Sequence, residues 1–194
     1  MLTVFTMTAG MTQSATIAKP GESGPVERMR SGDRTAFSTL VKVHQQRIIA
    51  YCLRFLGERE LAEDAAQEVF LTAWKERRRY RDQGTFDRYL LTIARNRCLA
   101  LHKKRRSGWA LATRYADLRA TVQRADEFEP MVILELETAL AKLSLKHRDL
   151  IVLRYLEGLS LDEIGEVTGL RAGTIKSRLN RGVASLRKEL ANDQ

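Results

Sequence analysis

Residues 160–190 read SLDEIGEVTGLRAGTIKSRLNRGVASLRKEL, and the fold is decided there. Ser160 and Glu163 stand three apart ahead of an apolar run, the spacing at which a Ser hydroxyl and a Glu carboxylate satisfy each other's free amides at a helix start. Leu161, Ile164 and Val167 then fall on one side of a short helix. Thr168-Gly169-Leu170-Arg171 breaks it, and from Ala172 to about Leu190 a longer helix turns Ile175, Leu179, Val183, Leu186 and Leu190 inward. A short capped helix, a glycine turn and a long basic helix make a helix-turn-helix. The second helix of such a unit enters the major groove with its N-terminal turns, so the outward residues there carry the reading. These are Thr174, Ser177 and Arg181, flanked by Lys176 and Arg178. Arg and Lys suit guanine edges or phosphates, and Thr and Ser suit either. A helical hairpin that binds no DNA gives the same pattern.

Upstream of this unit the chain stays helical by pattern. Val132, Leu136, Leu140 and Leu143 mark one helix; Leu150, Ile151, Leu153 and Tyr155 mark another, closed by Gly158. Residues 107–132 carry no sustained apolar face and read as a linker or a short weak helix. Before them a helix from Phe86 to about Arg106 follows a loop over Tyr80–Thr85 and buries Phe86, Leu90, Ile93, Ala94 and Leu101. Its opposite side aligns Arg88, Thr92, Arg95, His102, Lys103 and Arg106, bordered by Tyr89 and Asn96. Cations for phosphates, a ring for stacking and an amide for a base edge are what single-stranded nucleic acid requires. A plain solvated face is the alternative.

A helix from about Glu60 to Arg79 turns Leu61, Ala62, Ala65, Val69 and Ala73 inward. Its other face gathers Asp64, Gln67, Glu68, Leu71, Lys75 and Arg78, so one Leu sits in a polar stripe. That is either a solvated face with a stray Leu or a protein-docking face. The first helix runs from the N-cap Asp33 to Gly57 along Phe37, Leu40, Val41, His44, Ile48, Tyr51, Cys52 and Phe55, with His44 a core-edge residue. Residues 1–26, rich in Thr, Ser, Ala and Gly, read as a disordered leader.

Charge agrees with this division. The 194 residues carry a net +9, and the whole excess lies in residues 27–106, with 19 basic and 10 acidic side chains. The acids of the last third cluster at Glu135–Glu137 and Asp162–Glu166, away from the basic helix. Such a balance favours polyanionic partners. Hydrophobic residues at 44% are enough for cores, and no run approaches the roughly 20 apolar residues of a membrane span. With no basic segment and apolar core at the N-terminus, the expectation is a soluble cytoplasmic protein without membrane insertion. Cys52 and Cys98 lack CxxC spacing and read as buried thiols in a reducing compartment. No phosphate loop, metal-ligand cluster or nucleophilic triad is present in the sequence, so no cofactor, metal or catalysis is expected.

Three motifs in order are familiar. Ala62-Glu63-Asp64-Ala65-Ala66-Gln67-Glu68-Val69-Phe70 with Trp74, then Thr85-Phe86 through Leu90 to Ile93-Ala94-Arg95-Asn96, and finally Gly173-Thr174-Ile175-Lys176-Ser177-Arg178-Leu179 with Arg181, resemble the extracytoplasmic-function sigma factors of bacterial RNA polymerase. The resemblance implies an all-α chain of two small helical domains: sigma domain 2 over 27–106 and sigma domain 4 over 133–194, joined by a flexible linker over 107–132. It implies that Asp64, Gln67, Glu68, Leu71 and Lys75 dock on the clamp coiled coil of the polymerase largest subunit, which accounts for the Leu in the polar stripe. It assigns Arg81, Phe86, Arg88, Tyr89, Thr92, Arg95, Asn96, Lys103 and Arg106 to the −10 element, with a flipped non-template base captured near the Arg81–Phe86 loop and Asn96. It assigns Arg171, Thr174, Lys176, Ser177, Arg178 and Arg181 to the −35 duplex. Tyr89 stands where members often carry Trp, and Ala100 where they often carry an acid. The implied partners are core RNA polymerase through clamp and flap, promoter DNA and an anti-sigma factor. The free chain is expected to be a monomer, associating with the nucleoid once on polymerase. A free-standing helix-turn-helix regulator is the competing reading; it needs dimer symmetry, for which the sequence offers no coiled coil.

Overall fold

The computed structural model describes residues 24–81, 85–105 and 130–192. The leader before Gly24 and most of the expected linker lie outside them. Every regular element among the described residues is a helix.

Helix α1 spans Pro25–Ser31 and was not expected from the sequence, where residues up to 26 read as leader. Proline in its first turn and Gly32 at φ 102° bracket it, and Met29 is its buried anchor. Helix α2, Arg34–Leu56, starts where Asp33 accepts hydrogen bonds from the amides of Thr35 at 2.8 Å and Ala36 at 3.0 Å. It stops at Gly57, whose φ of 71° only glycine adopts without strain. Helix α3 covers Arg59–Lys75 and ends a turn earlier than expected, because the chain from Glu76 to Arg79 passes into turns. There the Arg77 guanidinium donates to the Trp74 carbonyl at 2.9 Å and lies 4.3 Å over the Trp74 ring. Helix α4 covers Phe86–Arg105.

These helices share one core. Ala62, Ala65, Ala66 and Ala73 give α3 a small-residue face against which Ile48, Tyr51 and Phe55 of α2 pack, with Leu90, Leu91, Ala94 and Cys98 closing from α4. Leu91 and Cys98 extend the buried side of α4 beyond the expected set. Cys52 and Cys98 are both buried free thiols, and their mutual contact pushes the Cys98 thiol up, with burial acting in the same direction.

The second bundle comprises α5 (Pro130–Lys142), α6 (Leu145–Ile151), α7 (Leu161–Thr168) and α8 (Ala172–Asn192). A π turn over Val152–Leu156 continues α6 and turns Tyr155 to solvent, against the expectation that Tyr155 joins the buried stripe. The capping box at Ser160 forms as read: the Glu163 amide donates to the Ser160 hydroxyl at 3.2 Å, and the Ser160 amide donates to the Glu163 carboxylate at 2.8 Å. Gly169, at φ 70°, ends α7. Ile164, Val167, Ile175 and Leu179 pack with Leu140, Leu150 and Leu153.

The two bundles touch. Arg148 of α6 is buried and donates to the carbonyls of Leu143 at 3.1 Å and Arg54 at 3.3 Å, and to that of Ala141. The acids at Glu137, Glu163 and Glu166, expected only to lie away from α8, face the first bundle. No described helix is long and apolar enough to cross a membrane.

Candidate polymerase and nucleic-acid interfaces

Three surfaces hold the residues singled out in the sequence. On α3 the small and apolar positions turn inward, which leaves Asp64, Gln67, Glu68, Leu71 and Lys75 exposed on one face. Leu71 is 52% exposed among them. A single exposed Leu is ordinary on a protein surface; what marks Leu71 is its place inside a charged stripe.

The second surface surrounds the start of α4. The rings of Tyr80, Phe86 and Tyr89 form a cluster: Tyr80 and Tyr89 lie 4.8 Å apart, Tyr80 and Phe86 5.7 Å, Phe86 and Tyr89 6.0 Å, with His44 5.6 Å from Phe86. Phe86 is 6% exposed, so the expectation that it contacts DNA is corrected: it is a core residue that props the half-exposed Tyr89. Partial burial, reinforced by Glu76, pushes the Tyr89 phenol up. Behind the cluster Asp87 binds His44 at 2.7 Å and Arg47 at 3.2 Å; the hydrogen bond from His44 holds the Asp87 carboxyl below its ordinary value. Arg81, Asn96 and Lys103 are exposed. Arg106 falls outside the described residues, as does the loop over 82–84.

Arg88, Thr92 and Arg95 do not form the open stripe expected of them. Arg88 is 19% exposed and pairs with Glu163 and, at 3.5 Å, with Glu166 of α7. Arg95 is 14% exposed and pairs at 2.7 Å with Asp149 of α6, which also accepts from the Tyr51 hydroxyl at 3.4 Å. Burial pushes the Asp149 carboxyl up while Arg95 pulls it back down. Thr92 spends its hydroxyl proton on the Arg88 carbonyl at 2.8 Å.

The third surface is the N-terminal half of α8. Arg171, Lys176 and Arg181 are exposed; Thr174, Ser177 and Arg178 are half-buried, and the Arg181 guanidinium donates to the Ser177 hydroxyl at 2.6 Å. Lys146 and His147 of α6 join Gly173, Thr174, Ser177, Arg178 and Arg181 around a groove of about 440 Å³. Sequence reading missed these two. Their signal was Gly182: a Cβ there would stand 3.2 Å from the His147 Cβ and 3.0 Å from the Ile151 Cδ1, so glycine is what lets α6 lie against α8. Burial, then the charges of Lys146, Arg181 and Arg178, lower the His147 pKa. Among the described residues no group of three or more His, Cys, Asp or Glu side chains could hold a metal ion.

Comparison with known proteins agrees with this architecture. Residues 40–108 match the family model Sigma-70 region 2, and residues 133–186 match Sigma-70, region 4. The chain is 33% identical over 176 residues to the ECF RNA polymerase sigma factor SigW of Bacillus subtilis, covering 85% of this chain and 94% of that one. It is 33% identical over 165 residues to the RNA polymerase sigma factor CarQ of Myxococcus xanthus, covering 85% and 95%. The fold is shared with CnrH, solved in complex with the cytosolic domain of CnrY, at TM-score 0.66 and 24% identity over 88% of this chain and 97% of that one. It is shared also with RpoE of Bartonella quintana, solved with the anti-sigma factor NepR, at 0.64 and 22% over 81% and 98%. The chain therefore belongs to the extracytoplasmic-function sigma factors of the sigma-70 family, the subunits that direct RNA polymerase to its promoters.

Proposed function

We propose that the three surfaces divide promoter recognition among them, and that the protein has no catalytic centre of its own. Asp64, Gln67, Glu68, Leu71 and Lys75 dock on the clamp coiled coil of the polymerase largest subunit; exposed Leu71 inside a charged stripe carries this reading. Arg81, Arg88, Tyr89, Thr92, Arg95, Asn96, Lys103 and Arg106 hold the melted −10 strand, with Phe86 bracing Tyr89. Extruding a base costs a few kcal/mol of stacking, and stacking on an aromatic ring returns about 1–3 kcal/mol per base. Arg171, Thr174, Lys176, Ser177, Arg178 and Arg181 read the −35 duplex, with Lys146 and His147 added as phosphate contacts. The domain limits we propose are 27–106 and 133–194, the second also meeting the polymerase flap. Coupling two modest DNA sites through one chain on polymerase raises their effective concentration.

We further propose a cytoplasmic protein, monomeric when free, held by an anti-sigma factor that covers the Asp64–Leu71 face or the Thr174–Arg181 helix. Two chains of the same fold, CnrH in complex with the cytosolic domain of CnrY and RpoE with the anti-sigma factor NepR, support this. Binding of purified protein to core polymerase tests the docking face. Leu71→Asp is expected to weaken binding at least ~100-fold with an unchanged circular-dichroism melt, since the side chain is exposed. Undiminished binding would remove the assignment.

A further inference from the structure

Asp87 is the only acid in α4, whose other charged side chains, Arg88, Arg95, Arg97, Lys103, Lys104 and Arg105, are cationic. A lone acid on a helix that holds a melted strand opposes phosphate by charge. Its two oxygens are not open to a base either. Nδ1 of His44 donates to Oδ1 at 2.7 Å, and a guanidinium nitrogen of Arg47 meets Oδ2 at 3.2 Å. The hydrogen bond from His44 holds the Asp87 carboxyl below its ordinary value, so both contacts are made by an ionised group. His44 and Arg47 stand one turn apart on α2, and the carboxylate bridges α4 to that helix.

The bridge lies where α4 has little else to fix its start. The Arg88 amide reaches the Thr85 hydroxyl at 3.4 Å, beyond the roughly 2.7–3.2 Å of a good N–H···O bond. The same first turn carries the rings that face the strand. His44, its side chain 16% exposed, meets Phe86 edge-on at 5.6 Å, and Phe86 meets the half-exposed Tyr89 at 6.0 Å. His44 therefore touches both the acid that anchors the turn and the ring that braces Tyr89.

We propose that Asp87 and His44 are positioning residues for strand binding: the pair clamps the first turn of α4 to α2 and so aims Tyr89, and Asp87 aids DNA binding although its charge opposes DNA. The inference rests on the proposed −10 role of Tyr89. A ring already held in place stacks on a base without first losing its own freedom, so a loosened turn weakens binding without removing any contact to DNA. Arg47 completes the clamp but also pairs with Glu157, so the clamp is probed through Asp87 and His44.

In the test each variant is assembled with core RNA polymerase, and complex formation shows that its first bundle has folded. A fluorescein-labelled 12-mer of random single-stranded DNA is then titrated by anisotropy, with core polymerase alone as background; a random pool serves because stacking tolerates every base. Charge alone predicts that Asp87→Ala binds more tightly, whereas the clamp predicts binding about threefold to fivefold weaker. His44→Leu should lose a similar factor, and His44→Asn, which keeps a nitrogen donor near the place of Nδ1, should stay within about twofold of the native chain. Tyr89→Ala should bind about tenfold more weakly, and adding Asp87→Ala to it should cost nothing more, because the clamp acts through that ring. If Asp87→Ala does not assemble, the contrast between His44→Leu and His44→Asn decides the same question. Binding by Asp87→Ala at least as tight as native, equal binding by the two His44 variants, or losses that add in the double variant would overturn the clamp and leave the role of Tyr89 standing. Undiminished binding by Tyr89→Ala would instead strike the −10 reading itself, and the clamp with it.

Discussion

His147 shows how one side chain joins fold and function. It packs over Gly182 on α8, and the charged or polar groups around it are Lys146 on its own helix and Thr174, Ser177, Arg178 and Arg181 on α8. Burial and those cations lower its pKa in the free protein. A phosphate in the groove would offset the cations and raise that pKa, so duplex binding takes up a proton. The sign follows: affinity for −35 duplex rises as pH falls through the bound-state pKa and levels off below the free-state one. Between pH 7.5 and 5.5 the gain is expected to stay within about tenfold, and His147→Gln should flatten it; fluorescence anisotropy against pH checks this. At the same contact Gly182→Val overpacks Ile151 and should cost about 1–3 kcal/mol, read as a lower midpoint in urea. The exposed Leu71 and the outward Thr174 and Arg181 were legible in the sequence, because a helical period assigns a face. Arg88 and Arg95 were not, because the period says which way they point and nothing of the bundle that meets them.

At the scale of single elements, caps decided what could be read. The box at Ser160 and Glu163 fixed the start of α7 from four letters, and Ser160→Ala should lower stability by about 1 kcal/mol in thermal or urea melts. Hydrogen bonds from Ser160, with Arg88 adding to them, hold the Glu163 carboxyl below its ordinary value. A depressed acid stabilises the fold above its unfolded pKa of about 4.3, and that part is lost as pH falls through the lower folded value. Glu163→Gln should therefore melt less steeply with acid than the native chain below about pH 4.5. Helix α1 escaped notice because seven residues with two apolar contacts, Val26 and the buried Met29, make too little periodicity; Pro25 and Gly32 were its clearest signals. The π turn over Val152–Leu156 escaped for a different reason: Tyr155 keeps helical spacing in the sequence, while the added residue in the turn rotates it to solvent.

For the whole molecule, the order of motifs and the uneven charge made two helical domains and a polyanionic partner legible, and the matched regions bear out the family. The contact between the bundles was illegible. Acid clusters at Glu135–Glu137 and Asp162–Glu166 stood out, yet nothing local tells whether they meet solvent, a partner or the other half of the chain. With Arg88 and Arg95, proposed above to hold the −10 strand, paired internally, the free chain should bind −10 single strands poorly and the −35 duplex only modestly, and core polymerase should strengthen both. The most direct measurement is reconstituted transcription, with the purified chain added to bacterial core RNA polymerase on a pool of genomic promoters. The account predicts start-site-specific transcripts only when both components are present, with start sites preceded by shared −10 and −35 sequences. Tight duplex binding by the chain alone, with no complex and no change in the transcripts made by core polymerase, would contradict it and leave a free-standing regulator.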